Sequence, residues 1–118
     1  MNHWQDYLNT ISEEKKSKIL EVLNYAKRLL PGSINVIVYG VPALKFKGKN
    51  IIAMAVYKNH LGIYLFGSNV INKIKLDKEV LSYSTGTLRF SLTALPSKKF
   101  ISKLIKLKLA ELNGGGVV

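Results

Sequence analysis

His60 stands between two tyrosines, Tyr57 and Tyr64, with Lys58 close by. An imidazole changes charge near neutral pH, and a phenol carries a hydrogen-bond donor on an apolar ring. With Tyr39, Lys45 and Arg89 these residues define a candidate pocket, made electropositive by Lys45 or Arg89, for an anion or a small polar ligand. A plainer alternative is that Asn59-His60 tolerates the angles of a turn while the tyrosines pack with their hydroxyls wet. A second grouping is Lys99, Lys103 and Lys106, which share one helical face at i, i+4 and i+7, with Lys98 and Lys108 flanking. That stripe suits the backbone of a nucleic acid or an acidic protein partner, or else forms an ordinary solvated face. No aromatic platform accompanies it, which argues against base stacking on single strands.

Enzymatic signatures are missing. There is no Gly-x-Ser-x-Gly elbow, no His-Glu-x-x-His and no histidine paired with a nucleophile at a recognisable spacing. The expectation is a protein that is not an enzyme. Gly40, Gly48 and Lys49 imitate a phosphate-binding loop, but the spacing is wrong and Asn50 stands where a Ser or Thr would bind magnesium. The absence of cysteine excludes disulfides, zinc–cysteine sites and thiol catalysis. It also fits a reducing cytoplasm, the expected location, as does an N-terminus without the basic start and apolar run of a signal peptide. Ile51–Tyr57, the longest nearly uninterrupted apolar run, is far short of the roughly 20 residues of a membrane helix, so no membrane partner is expected.

The chain has 118 residues, 18 basic against 7 acidic, for a net charge of +11. A charge of this size is the footprint of phosphate binding, yet only Arg28 and Arg89 are arginines, and lysine lacks the planar fork that reads base edges.

The elements that must position these groups follow from periodicity. After a short turn of helix at Trp4–Leu8, a long helix is predicted from about Ser12 to Leu30. Its apolar stripe runs through Ile11, Ile19, Val22, Leu23, Ala26, Leu29 and Leu30; Thr10 and Glu13 have capping-box spacing, and Pro31-Gly32 stops it. Five strands follow: Ile34–Tyr39, broken by Gly40-Val41-Pro42; Ala43–Lys47; Ile51–Tyr57, buried on both faces; Leu61–Phe66; and Thr87–Leu92, with Leu88, Phe90 and Leu92 on one face. Between the last two, Ser68 is placed to cap a short helix carrying Val70, Ile71 and Ile74. Pro96-Ser97 opens a final helix to about Leu112, and a glycine-rich tail occupies 113–118. The expected fold is α+β: one two-layer domain over residues 1–112, an antiparallel sheet of about five strands flanked by N-terminal and C-terminal helices.

Three blocks in this order carry a family resemblance: Tyr39–Lys49, Ala55–Tyr64 and Gly86–Phe90, supported by the Leu95-Pro96 step before the last helix. The chain resembles the bacterial YdhG-like domain family, largely of unknown function. The resemblance implies helices against an antiparallel sheet. One branch is described as a frataxin-like intracellular iron chaperone, so iron is the ligand the resemblance implies. Where relatives carry acidic residues before the first block, this chain has Ile34-Asn35-Val36; Thr85 and Ser91 also depart from the pattern. An iron ridge would need carboxylates. Glu14 and Glu21, seven apart on one helical face, are the candidates, although Lys18 between them gives the spacing of a salt-bridge ladder.

Overall fold

The computed structural model describes residues 4–66 and 69–112. The tail expected at 113–118 and the cap expected at Ser68 lie outside the described residues. A short helix α1 (Gln5–Leu8) precedes the long α2 (Glu13–Arg28). Ser12 caps α2: its backbone is extended, and its hydroxyl accepts from the Lys15 amide at 3.3 Å. The cap is therefore not Thr10, whose hydroxyl donates to the Tyr7 carbonyl at 2.6 Å and closes the turn after α1. Glu13 and Glu14 at the start of α2, with Lys27 and Arg28 at its end, complement the helix dipole.

The sheet has six strands rather than five: β1 (Ile34–Val38), β2 (Val41–Phe46), β3 (Lys49–Val56), β4 (His60–Tyr64), β5 (Ser82–Ser84) and β6 (Thr87–Ser91). All neighbours are antiparallel, in the order β1-β2-β3-β4-β6-β5. Two-residue turns at Tyr39-Gly40 and Lys47-Gly48 join the first three strands, and positive φ at both residues of each turn (53° and 80°; 51° and 78°) matches the right-handed twist of the flanking strands. The break between the first two strands is Tyr39-Gly40 alone. Pro42 already lies in β2 opposite Ile37, beyond the end of the β3 pairing that starts at Ala43, so its missing N–H forfeits no ladder bond.

Register sorts the side chains. Met54, Ile63 and Leu88 align across β3, β4 and β6, as do Val56, Leu61 and Phe90, and this face packs against the helices. A short helix α3 (Val70–Ile74) and the final α4 (Lys98–Leu112) complete that layer. Phe90 meets Phe100 of α4 edge to face at 5.4 Å between centroids. Trp4, only 1% exposed, donates its indole N–H to the Ala43 carbonyl at 2.9 Å and ties the N-terminal segment to β2. No helix among the described residues is long and apolar enough to cross a membrane.

One lysine departs from its expected place. Lys108 does not flank a solvated stripe: it is 3% exposed, and its ammonium donates to the Leu65 carbonyl at 2.7 Å, with the Glu111 carboxylate 3.7 Å away. Glu111 also accepts from the Asn69 amide at 2.8 Å, so the pair fastens the end of α4 to the segment between β4 and α3. Burial pushes the Lys108 ammonium below its ordinary value, and the Glu111 carboxylate partly restores it.

Candidate functional site

The face of the sheet turned away from the helices is built from small and aromatic residues. Ala43, Ala53 and Tyr64 align across β2, β3 and β4, and Ala55 pairs with Gly62 and through it with Arg89. Alanines and a glycine at these positions leave a low floor on which larger side chains can lie. Gly62 shows how closely: a methyl group built there would meet the Tyr64 hydroxyl at 3.1 Å and the Tyr57 ring at 3.4 Å. The two phenols lie over this glycine, and their hydroxyls hydrogen-bond to each other. The His60 imidazole stacks on the Tyr57 ring at 4.8 Å between centroids and 25° between planes.

Beside this pair lies a cavity of about 330 Å³, lined by Val38, Tyr39, Val41, Ala53, Tyr57, Tyr64, Phe66 and Gly86. Four of the eight are aromatic, and none carries a formal charge. Two of the aromatics hold left-handed backbone, Tyr39 at φ 53° and Phe66 at φ 56°. The hairpin accounts for the Tyr39 angle; Phe66 adopts its angle outside any two-residue hairpin. Such angles in a bulky residue persist only where the surroundings hold them, and they gather at ligand sites. Tyr39 is 93% exposed, a ring at the rim that rests on almost nothing.

The electrostatics are those of a donor site. Burial first, then the hydrogen bond and charge of Tyr57, raise the Tyr64 phenol well above the ordinary tyrosine value, with Arg89 pulling weakly the other way. Tyr64 therefore keeps its proton. Arg89 is held on the same face by the Ser84 hydroxyl at 2.9 Å and the Ser82 hydroxyl at 3.5 Å. A molecule in the cavity would find apolar walls, a phenol pair with one hydroxyl proton left to donate, and a guanidinium to one side.

Of the residues singled out in the sequence, Tyr39, Tyr57 and Tyr64 line the cavity, His60 braces Tyr57, and Arg89 joins them on the same face. Lys45 and Lys58 are not among its lining residues. Lys45 pairs with Ile34 and Asn50, four residues along β2 from Val41 and so roughly 13 Å from that end of the strand; Lys58 is exposed in the β3–β4 turn. His60 opens β4 rather than belonging to the turn. Sequence reasoning did not pick out Phe66, Val38, Val41 and Ala53. The alternation of Ala53 and Ala55 with Ile52 and Met54 was the available signal, since small residues on one face of a central strand mark a place for something else to lie.

Glu14 and Glu21 sit on α2, and Glu21 shares the α2–α4 groove with Lys98. Among the described residues no three His, Asp or Glu side chains gather as a metal-binding group. Lys99, Lys103 and Lys106 line a depression on α4 with Ser102 and Leu107. An aromatic residue does accompany that stripe: Tyr25 of α2 bonds its hydroxyl to that of Ser102 at 2.9 Å, and Lys98 and Arg28 stand at 5.6 and 5.7 Å from its ring.

A two-layer α+β domain with an antiparallel meander and an aromatic hollow on its open face is a fold with known structural relatives. A protein of the DUF1801 family, YdhG from Bacillus subtilis, is superimposable with a TM-score of 0.79 over 95% of this chain and 90% of that one, at 19% sequence identity. The likeness establishes a shared, YdhG-like fold. No protein-family model matches the sequence, and no curated protein matches it.

Proposed function

We propose that this protein is a non-enzymatic binding module that receives a small, flat, largely apolar molecule bearing a hydrogen-bond acceptor on the open face of its sheet. The observation that carries this reading is the uncharged hollow walled by Tyr39, Tyr57, Tyr64 and Phe66 over a floor that includes Ala53. Its size falls at the lower end of the range of small-ligand sites, and its chemistry is theirs: apolar walls with few, convergent polar groups. Tyr64 keeps its proton and is a poor general base at neutral pH, and no side chain lining the hollow is an activated nucleophile, which favours binding over catalysis.

Iron chaperoning, which the family resemblance implied, draws no support from the placement of Glu14 and Glu21. Carboxylates would have to converge, whereas Glu21 keeps company with Lys98 and Glu13 lies 3.8 Å from Lys16.

The test is amide-resolved NMR of isotope-labelled protein titrated with naphthoate and with naphthol. Both ligands should shift the amides of Val38, Tyr39, Ala53, Tyr57, Tyr64 and Phe66, and naphthoate should bind more tightly because of Arg89. Ala53→Leu, which fills the floor, should abolish the shifts while the rest of the spectrum stays folded. Shifts scattered over the helical layer, or none at millimolar ligand, would overturn the reading.

A further inference from the structure

Lys108 and Lys18 are spent on carbonyls, Lys108 on Leu65 and Lys18 on Leu92 at 2.9 Å, and Lys27 is bonded to Asn35. Beyond Lys98 at its start, α4 keeps a row of three exposed ammonium groups, Lys99, Lys103 and Lys106, along the depression that includes Ser102. Like charges at i, i+4 destabilise a helix, and glutamates at that spacing would relieve them. α4 contains one acidic residue, Glu111, and it is engaged by Lys108 and Asn69. Lys98 and Lys99 also sit at the positive end of the helix dipole. The Glu79 carboxylate, bonded to Ser97 at the cap, offsets the penalty at the helix start, whereas the like-charge penalty along Lys99, Lys103 and Lys106 is kept.

The groups around the row extend it sideways. Across the α2–α4 groove, exposed Arg28 and Lys98 flank the Tyr25 ring, whose hydroxyl is fixed by Ser102. The result is a cationic surface with a straight axis. From Lys99 to Lys106 the helix rises about 10.5 Å, which spans about three phosphates of one DNA strand at ~3.4 Å each. The exposed large apolar side chains, Ile34, Ile37, Tyr39, Tyr57, Leu76, Leu81 and Tyr83, all lie off α2 and α4. Protein interfaces are anchored by apolar and aromatic residues, whereas a phosphate backbone asks only for positioned charge.

We infer that the outer surface of α4, with Arg28 of α2, is a docking surface for the backbone of a duplex nucleic acid, read without sequence preference. It lies on the helical layer, on the side of the sheet opposite the aromatic hollow, and it stands independently of what that hollow binds.

Fluorescence anisotropy of a short labelled DNA duplex, titrated with the full chain from roughly 50 to 200 mM salt, tests this. Affinity should fall steeply with salt. The triple variant Lys99→Gln, Lys103→Gln, Lys106→Gln should flatten the slope of log K against log salt by roughly 2 to 3, at about 0.9 for each phosphate no longer neutralised. A control triple with the same charge change at exposed residues in and beside the hairpin turns, Lys47→Gln, Lys49→Gln, Lys58→Gln, should leave the slope nearly unchanged. An equal effect of both triples would overturn the inference, since the duplex would then be answering net charge alone. Failure to bind at the lowest salt would overturn it too, as would polyglutamate competing as well as unlabelled duplex at equal charge, which would assign the surface to an acidic protein.

Discussion

At the scale of single residues, the buried lysine and the shielded phenol make opposite demands on pH. Lys108 has its ammonium lowered by burial from the ordinary 10.5. Below the lowered value both folded and unfolded chains hold the proton; between that value and 10.5 the unfolded chain binds a proton the folded one has shed, so stability rises with pH. Urea midpoints measured upward from neutrality toward pH 10 should climb in the native protein, and Lys108→Met should remove that climb. Tyr64 behaves in the reverse sense. Its raised phenol holds a proton the unfolded chain loses above the ordinary 10.0, so its contribution is complete below pH 10 and declines beyond it. Following tyrosinate absorbance, one of the six tyrosines should ionise late, and Tyr57→Phe should bring it earlier without restoring the ordinary value, because burial remains. Lys108 was legible in principle. It falls three and four residues after Ile105 and Leu104, on the apolar stripe, but a lysine inside that stripe reads as surface until its carbonyl partner 43 residues away is known. The Tyr57–Tyr64 pair was easier to read, because a tight strand-to-strand turn between them sets them on one face.

At the scale of elements, α4 depends on how its first turn is capped. Ser97 accepts from the Phe100 amide at 3.1 Å, and the Glu79 carboxylate takes both the amide and the hydroxyl of Ser97 at 2.7 Å. Glu79 supplies the negative charge that Lys98 and Lys99 withhold from the helix start. Ser97→Ala should cost about 0.5–2 kcal/mol in urea denaturation, and Glu79→Gln should remove part of the same stabilisation with a dependence on salt. For β4 the sensitive position is Gly62. Gly62→Ala places a methyl 3.1 Å from the Tyr64 hydroxyl, so the phenols must move, and naphthoate affinity should drop more than stability does. Strands with an inward apolar row, such as Leu88 and Phe90 in β6, could be read from alternation. β5 could not: Ser82-Tyr83-Ser84 is exposed throughout and is held by its pairing with β6 and by Arg89. Hydroxyls and one half-wet ring give no periodic signal. The cap of α2 falls two residues later than the capping-box spacing predicts, because Thr10 and Ser12 both precede the same stripe and only the turn after α1 decides between them.

At the scale of the whole molecule, one core joins sheet to helices, and the Phe90–Phe100 contact lies within it. Phe90→Ala should cost about 3–5 kcal/mol, against the roughly 5–15 kcal/mol that holds most domains together; a sharply lowered thermal midpoint would show it. The architecture was legible as a whole because its hairpins are local and their turns use glycine. The cavity was legible only in part, since four separate stretches of chain supply its walls and none announces the others. The sheet follows chain order except where β6 enters before β5, so most of its pairing forms between neighbours and only the β4–β6 seam has to bridge a long gap. Trp4 closes over this meander by bonding to a carbonyl 39 residues away, and it is the single tryptophan of the chain. The clasp between the N-terminal segment and the sheet is therefore also the chain's only indole fluorophore. Emission from that ring reports when the clasp opens, and refolding can be timed at this one seam without attaching a label.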